Sequence, residues 1–214
     1  MSRVTAPLLS FGASGAIAKT QVYATWKGRP YARRYAIPSN PNTIAQQATR
    51  TTFSFLNNVW KFMPTAAVAA WQLYGQNSRF TDRNGFIKIN LSPLIGEADL
   101  TNFVFSPSAG GGLAAQSITV TPGNDQLQVV LAAPSLPAGW TITKAVMAVI
   151  RQQDPQTGVL YNVTAMEDAS AAYDVTFTGL ASAQTYVVGG WFVYAKADGS
   201  PAYGEALMTT GLTT

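Results

Sequence analysis

The chain has 214 residues, 47% apolar and 11% aromatic, but only 11% charged, with a net charge of +4. It contains neither Cys nor His, which excludes thiolate nucleophiles, thiolate metal sites, disulfides, imidazole acid–base chemistry and a Ser-His-Asp triad. Residues 1–97 hold eleven Lys and Arg against two Asp and Glu, a net of +9, whereas residues 98–214 hold three against eight, a net of −5.

A charge switch of that size predicts two modules with different surroundings. The charged fraction is well below the usual quarter, which predicts a surface largely covered by partners, as in a homo-oligomer or a large assembly. The ten carboxylates lie mostly in turns of the second half. The expectation is therefore a protein that is not an enzyme and uses no cofactor. No run approaches the roughly 18–20 apolar residues that span a bilayer, so no membrane partner is expected. The N-terminus carries one Arg among small apolar residues and reads as an ordered arm rather than a signal peptide.

Residues 1–40 are rich in Gly, Ala, Ser and Pro, interrupted by aromatics and cations. Two short strands are predicted, Gln21 to Trp26 and Pro30 to Ile37, joined at Lys27-Gly28. Ala36-Ile37-Pro38-Ser39-Asn40-Pro41 is predicted to be a stiff connector. Thr43-Ile-Ala-Gln46 has capping-box spacing and opens a helix to about residue 62. Its apolar stripes run through Ile44, Ala48, Phe55, Val59 and Phe62, and through Phe53, Leu56 and Trp60, which predicts burial on two sides. Thr65 is expected to cap a second helix to about Gln76, Asn84-Gly85 to form a turn, and a third short element to end before Pro93.

Residues 98–113 read as a linker, with a candidate strand at Asn102 to Phe105 and then a Gly-rich stretch. Beyond it lie seven candidate strands: Ser117 to Thr121, Gln126 to Ala132, Thr141 to Gln152, Val159 to Ala165, Ala172 to Thr178, Thr185 to Ala195 and Ala202 to Thr210. Turn residues separate them. That spacing predicts an immunoglobulin-like sandwich. Within it, Gly179-Leu180-Ala-Ser-Ala-Gln-Thr-Tyr186 resembles the tyrosine corner of fibronectin type III domains, which implies that the Tyr186 hydroxyl bonds back to nearby backbone.

The most suggestive local feature is the arm, where Lys19, Lys27, Arg29, Arg33 and Arg34 alternate with Tyr23, Trp26, Tyr31 and Tyr35, followed by Ile37. Arg is the preferred interface cation, and Tyr and Trp are preferred anchors, so these ten residues are expected to contact an acidic neighbouring protein. Nucleic-acid binding through phosphate pairing and base stacking is the competing reading; the absence of a run of like charges weighs against it. Neither Gly110-Gly111-Gly112 nor Gly12-Ala-Ser-Gly15 has phosphate-loop form. The pairs Glu167-Asp168 and Asp198-Gly199 lack the ligand count of a hard-cation site. Asn162-Val163-Thr164 matches a glycosylation acceptor by pattern and reads as part of a strand. Trp140, in a Pro-Ala-Gly-Trp turn, is the tryptophan placed to stack on a sugar.

The segment GASGAIAKTQVYATWKGRPYARRYAIPSNPNTIAQQATRTTF resembles structural proteins of tailed bacteriophages, as do Trp71, Tyr74 and Asn84-Gly85-Phe86 further on. The resemblance spans about residues 11–95 and implies a non-enzymatic virion component. The expected fold class is α+β: an N-terminal extended arm with short strands and two or three helices, followed by an all-β immunoglobulin-like sandwich. The expected organisation is a basic anchoring module at 1–97 (arm 1–40, helices about 43–62, 65–76 and 85–91), a linker at 98–113 and the sandwich at 114–214. The expected function is that of a capsid decoration or cementing protein in the virion, docking on capsid or other virion proteins and forming a homo-oligomer. A tail, neck or baseplate component and a carbohydrate-binding adsorption protein are the alternatives.

Overall fold

A computed structural model describes residues 2–3 (backbone only), 14–37, 42–157 and 162–214. The chain divides into two compact units, Met1–Asn42 and Thr43–Thr214. The connector residues 38–41 and the first part of the fourth predicted strand, 159–161, lie outside the described residues.

Among its described residues the first unit forms a four-stranded antiparallel sheet in the order β1-β4-β3-β2, with β1 at Ser2–Arg3, β2 at Gly15–Ile17, β3 at Gln21–Trp26 and β4 at Arg29–Arg34. Strand β3 has its predicted bounds. Strands β3 and β4 are joined by Lys27 (φ 49°) and Gly28 (φ 74°), the two successive positive values that a two-residue hairpin with the strands' own twist requires.

The second unit is α+β. Helix α1 spans Ile44–Trp60 and is capped by Thr43, whose hydroxyl accepts from the Gln46 N–H. Helix α2 spans Thr65–Ser78; its cap is Pro64, and Thr65 is the first helical residue. Helix α3 spans Asp82–Leu94 and starts earlier than the sequence suggests, because Thr81 caps it through the Asn84 N–H. Asn84-Gly85 is therefore helix rather than turn, and Pro93 sits inside the last turn. The place of a side chain at Gly85 is taken by the Tyr74 ring, 3.2 Å from an added Cβ, so the glycine lets α2 and α3 approach.

The sandwich follows. Strands β5 (Ser117–Gly123), β6 (Gln126–Ala132) and β9 (Asp174–Thr178) form one sheet in the order β5-β6-β9. The other sheet runs β11-β10-β7-β8, from β7 (Thr141–Arg151), β8 (Thr164–Asp168), β10 (Thr185–Ala195) and β11 (Pro201–Tyr203), with β12 (Leu207–Leu212) also on β10. β11 pairs with Val193–Ala195 and β12 with Thr185–Gly190, so the two are consecutive parts of one interrupted edge strand. Among the described residues the result is a seven-stranded immunoglobulin-like sandwich of the fibronectin type III kind. At its corner the Tyr186 hydroxyl accepts the Ala181 N–H at 2.9 Å, while Leu180 packs against the core.

Two cores flank the larger sheet. Leu127, Val129, Leu131, Val175 and Phe177 meet Met147, Val149, Val188 and Phe192 between the sheets. On the other face Val146, Ala148, Ile150, Val187 and Trp191 pack against the helices through Phe55, Leu56, Val59, Trp71 and Phe86. Nine consecutive residues of β10 are buried as a result. Gly189 and Gly190 sit at its middle; an added Cβ would strike Phe105 on one side and Leu131 on the other. Residues 98–113 belong to the same packing: Leu100, Phe103 and Phe105 are fully buried and Ala109 bridges to Tyr203. No strand forms at 102–105. The Asn90 side chain occupies both the N–H and the C=O of Val104, groups a strand would need for a neighbour. None of the described helices is long and apolar enough to cross a membrane.

Candidate functional site

The ten arm residues singled out by sequence do not share one surface. In an antiparallel pair, directly opposed residues point to the same face and neighbours along a strand point to opposite faces. The register pairs Trp26 with Arg29, Ala24 with Tyr31 and Val22 with Arg33. The Tyr35 N–H donates to the Thr20 carbonyl at 2.8 Å and carries the ladder one step further. One face therefore bears Trp26, Arg29, Tyr31, Arg33 and Tyr35. Tyr23 and Arg34 lie on the other, with Ile17. Lys19 (φ 52°) and Lys27 stand in the two turns, and Ile37 lies beyond β4, exposed.

On the first face, Arg29, Tyr31, Arg33 and Tyr35 follow one another at about 7 Å intervals, the two-residue repeat of a strand. Arg29 and Arg33 are exposed, and Tyr31 and Tyr35 are half-buried. Trp26 is 65% exposed, with the Lys27 ammonium 4.9 Å from its ring centroid. Residues 1–42 hold six Lys and Arg and no Asp or Glu. Nothing within this unit can neutralise the row. Exposed cations alternating with rings are suited to binding a partner that supplies carboxylates or phosphates. Sequence reasoning found the residues but not their division, although the adjacency of Arg33 and Arg34 already requires it within a strand.

The remaining candidates make the following contacts. Trp140 is half-buried against Tyr194, centroids 5.9 Å apart and the rings tilted by 57°, and the Lys196 ammonium lies 5.8 Å from its ring centroid. Asp168 accepts the Ser170 N–H (2.8 Å), the Ser170 hydroxyl (2.7 Å) and the Asp174 N–H (3.0 Å). The Ser170 backbone bond leads in holding its carboxyl below the ordinary range. Asp198 is held low in the same way, chiefly by the Ser200 hydroxyl at 2.6 Å. Both carboxylates organise turns. Glu167 pairs with Lys144 at 2.6 Å. Thr164 of the glycosylation pattern opens β8. Among the described residues no three His, Cys, Asp or Glu side chains converge as a metal site.

One buried phenol gives a pH expectation. Tyr194 donates to the Leu113 carbonyl at 2.8 Å; burial, with a smaller push from Tyr173, raises its pKa to about 12. A folded value above the unfolded one means that its contribution to stability is full below about pH 10 and is lost as pH rises through about 12. Tyr194→Phe should cost about 1 kcal/mol near neutral pH through the unpaired carbonyl. In urea titrations the gap between wild type and variant should close in strong alkali. A constant gap would rule out the shifted phenol.

No family model matches the chain, and no curated protein matches it. Solved structures do. A computationally redesigned β-sandwich protein is 22% identical over 47% of this chain and 88% of its own, with a TM-score of 0.35. The fn3 domain of the human collagen alpha-1(XX) chain is 21% identical over 51% of this chain and 91% of its own, at 0.37. Domains d3–d4 of the rat CD45 extracellular region are 13% identical over 50% and 52%, at 0.35. None of these three descriptions names a virion protein.

Proposed function

We propose that the chain is a non-enzymatic structural protein of tailed-bacteriophage particles, a capsid decoration or cementing protein whose basic arm grips an acidic surface of a neighbouring protein. The observation that carries this reading is the acid-free arm sheet, with Trp26, Arg29, Tyr31, Arg33 and Tyr35 on a single face. The sequence resemblance over residues 11–95 supports the particle. The low charged fraction supports extensive contact with other proteins.

Exposed ion pairs are worth about 0–1 kcal/mol each. Burial of Trp26, Tyr31 and Tyr35 must therefore supply most of the affinity, at roughly 25 cal/mol per Å² before association costs. The arginines contribute orientation and encounter rate. Quantitative mass spectrometry of purified particles tests the role. Decoration predicts copies stoichiometric with the major capsid protein, and a small ring multiple would move the protein to the tail or neck. Deleting residues 1–42 should abolish incorporation; particles that retain the truncated chain at full copy number refute the anchoring role.

A further inference from the structure

We infer that the partner gripped by the arm is a second copy of this chain: the face bearing Trp26, Arg29, Tyr31, Arg33 and Tyr35 docks on the acidic half, residues 98–214, of a neighbouring copy. This rests on the docking role of the arm proposed above and names its occupant.

Three observations point to that occupant. First, the charges are complementary. Residues 1–42 have six cations and no carboxylate, whereas residues 98–214 have eight carboxylates against three cations. One copy carries both halves of the match, and the arm has no internal means of neutralising its own charge. Second, the arm face is open: Arg29 and Arg33 are exposed and Trp26 is 65% exposed, with Ile37 at 79% beyond it. Third, the opposite half presents some of its carboxylates outward, although Glu167 already pairs with Lys144. Glu167, Asp198 and Glu205 are exposed on β8, in the β10–β11 turn and in the β11–β12 connection. Two strand-borne guanidinium groups about 13 Å apart with a ring between them fit a partner whose acids are spread over its surface. They do not need one concentrated pocket.

In this arrangement the contact passes from copy to copy, each arm on the acidic half of the next. Such a head-to-tail contact closes into a ring or extends as a chain of copies. Salt weakens it by screening. Loss of the rings weakens it at any salt.

The test uses the full-length protein. Sedimentation equilibrium at about 0.02 M and about 0.5 M salt should show self-association that falls steeply with ionic strength. Arg29→Glu/Arg33→Glu should weaken association about tenfold or more, and Arg34→Glu, on the opposite face, less than about threefold. A second measurement leaves the arm unaltered. Carbodiimide, which joins lysine amines to carboxylates, is applied to a mixture of ¹⁴N and ¹⁵N copies. Mixed-isotope peptide pairs should join Lys19 or Lys27 to carboxylates of residues 98–214. A wild-type protein that stays monomeric at low salt, pairs confined to single copies, equal effects from both faces, or association that appears only when nucleic acid is added would each overturn the inference. A monomer still incorporated into particles through its arm would sink the second-copy contact and leave the anchoring function standing.

Discussion

Replacing Trp71 with alanine should destabilise the protein by about 3–5 kcal/mol, the range for removing a large aromatic from a packed core. Trp71 is fully buried and meets Tyr74 at 5.8 Å and Phe86 at 5.5 Å, both edge-on. From Phe86 the rings continue through Phe103 and Phe105 to Trp191 on β10. The indole N–H also donates to the Phe105 carbonyl at 2.8 Å, so alanine leaves a cavity and strands a buried acceptor. Trp71→Phe separates the two effects, because it keeps most of the ring volume and loses the donor. Urea titration followed by circular dichroism should rank wild type, phenylalanine and alanine in that order. A loss below about 1 kcal/mol for alanine would mean that the helical layer is not held on the sheet by this chain of rings.

Asn90→Leu should cost about 2–4 kcal/mol without opening a cavity. Asn90 is fully buried on α3. Its Oδ1 accepts the Val104 N–H at 2.7 Å, and its amide donates to the carbonyls of Val104 and Phe86, both at 3.2 Å. Leucine fills a similar volume but leaves both backbone groups of Val104 unpaired. Hydrogen exchange reads the site directly: the Val104 amide should lose protection relative to the amides of β10. Unchanged protection at Val104 would show that another group replaces the asparagine.

Much of the sandwich was legible in the sequence because its turns use residues with few alternatives and its strands alternate cleanly, as Leu127, Val129 and Leu131 do. The tyrosine corner was legible because Leu180 and Tyr186 stand at a diagnostic spacing. The helical layer's place was harder to read. Charge divides the chain near residue 97, but contacts divide it at residue 42, because the helices bury their apolar side on the sheet whatever the charge of their exposed side. The clue was present in Ala145–Ile150 and Val187–Tyr194. An antiparallel strand that is apolar without alternation is covered on both faces. Residues 98–113 look like a linker by their Gly, Ser and Pro content, yet Leu100, Phe103 and Phe105 are buried there with no helical or strand period to announce it. Gly85 looked like a turn because its use, admitting Tyr74, is a tertiary demand invisible along the chain. In the arm, composition found the cations, but only the register revealed which of them act together.

The burial of β10 on both faces has a consequence for synthesis. This strand lies at residues 185–195, and the last of the helices that rest on it already ends at Leu94. As the nascent chain emerges, the helices have only the β7 part of their seat until the ribosome has released the sixth strand of the sandwich, and the apolar surface left over is open to aggregation for that interval. Expressing residues 43–113 alone holds the helices indefinitely at the still earlier stage, before β7 is made.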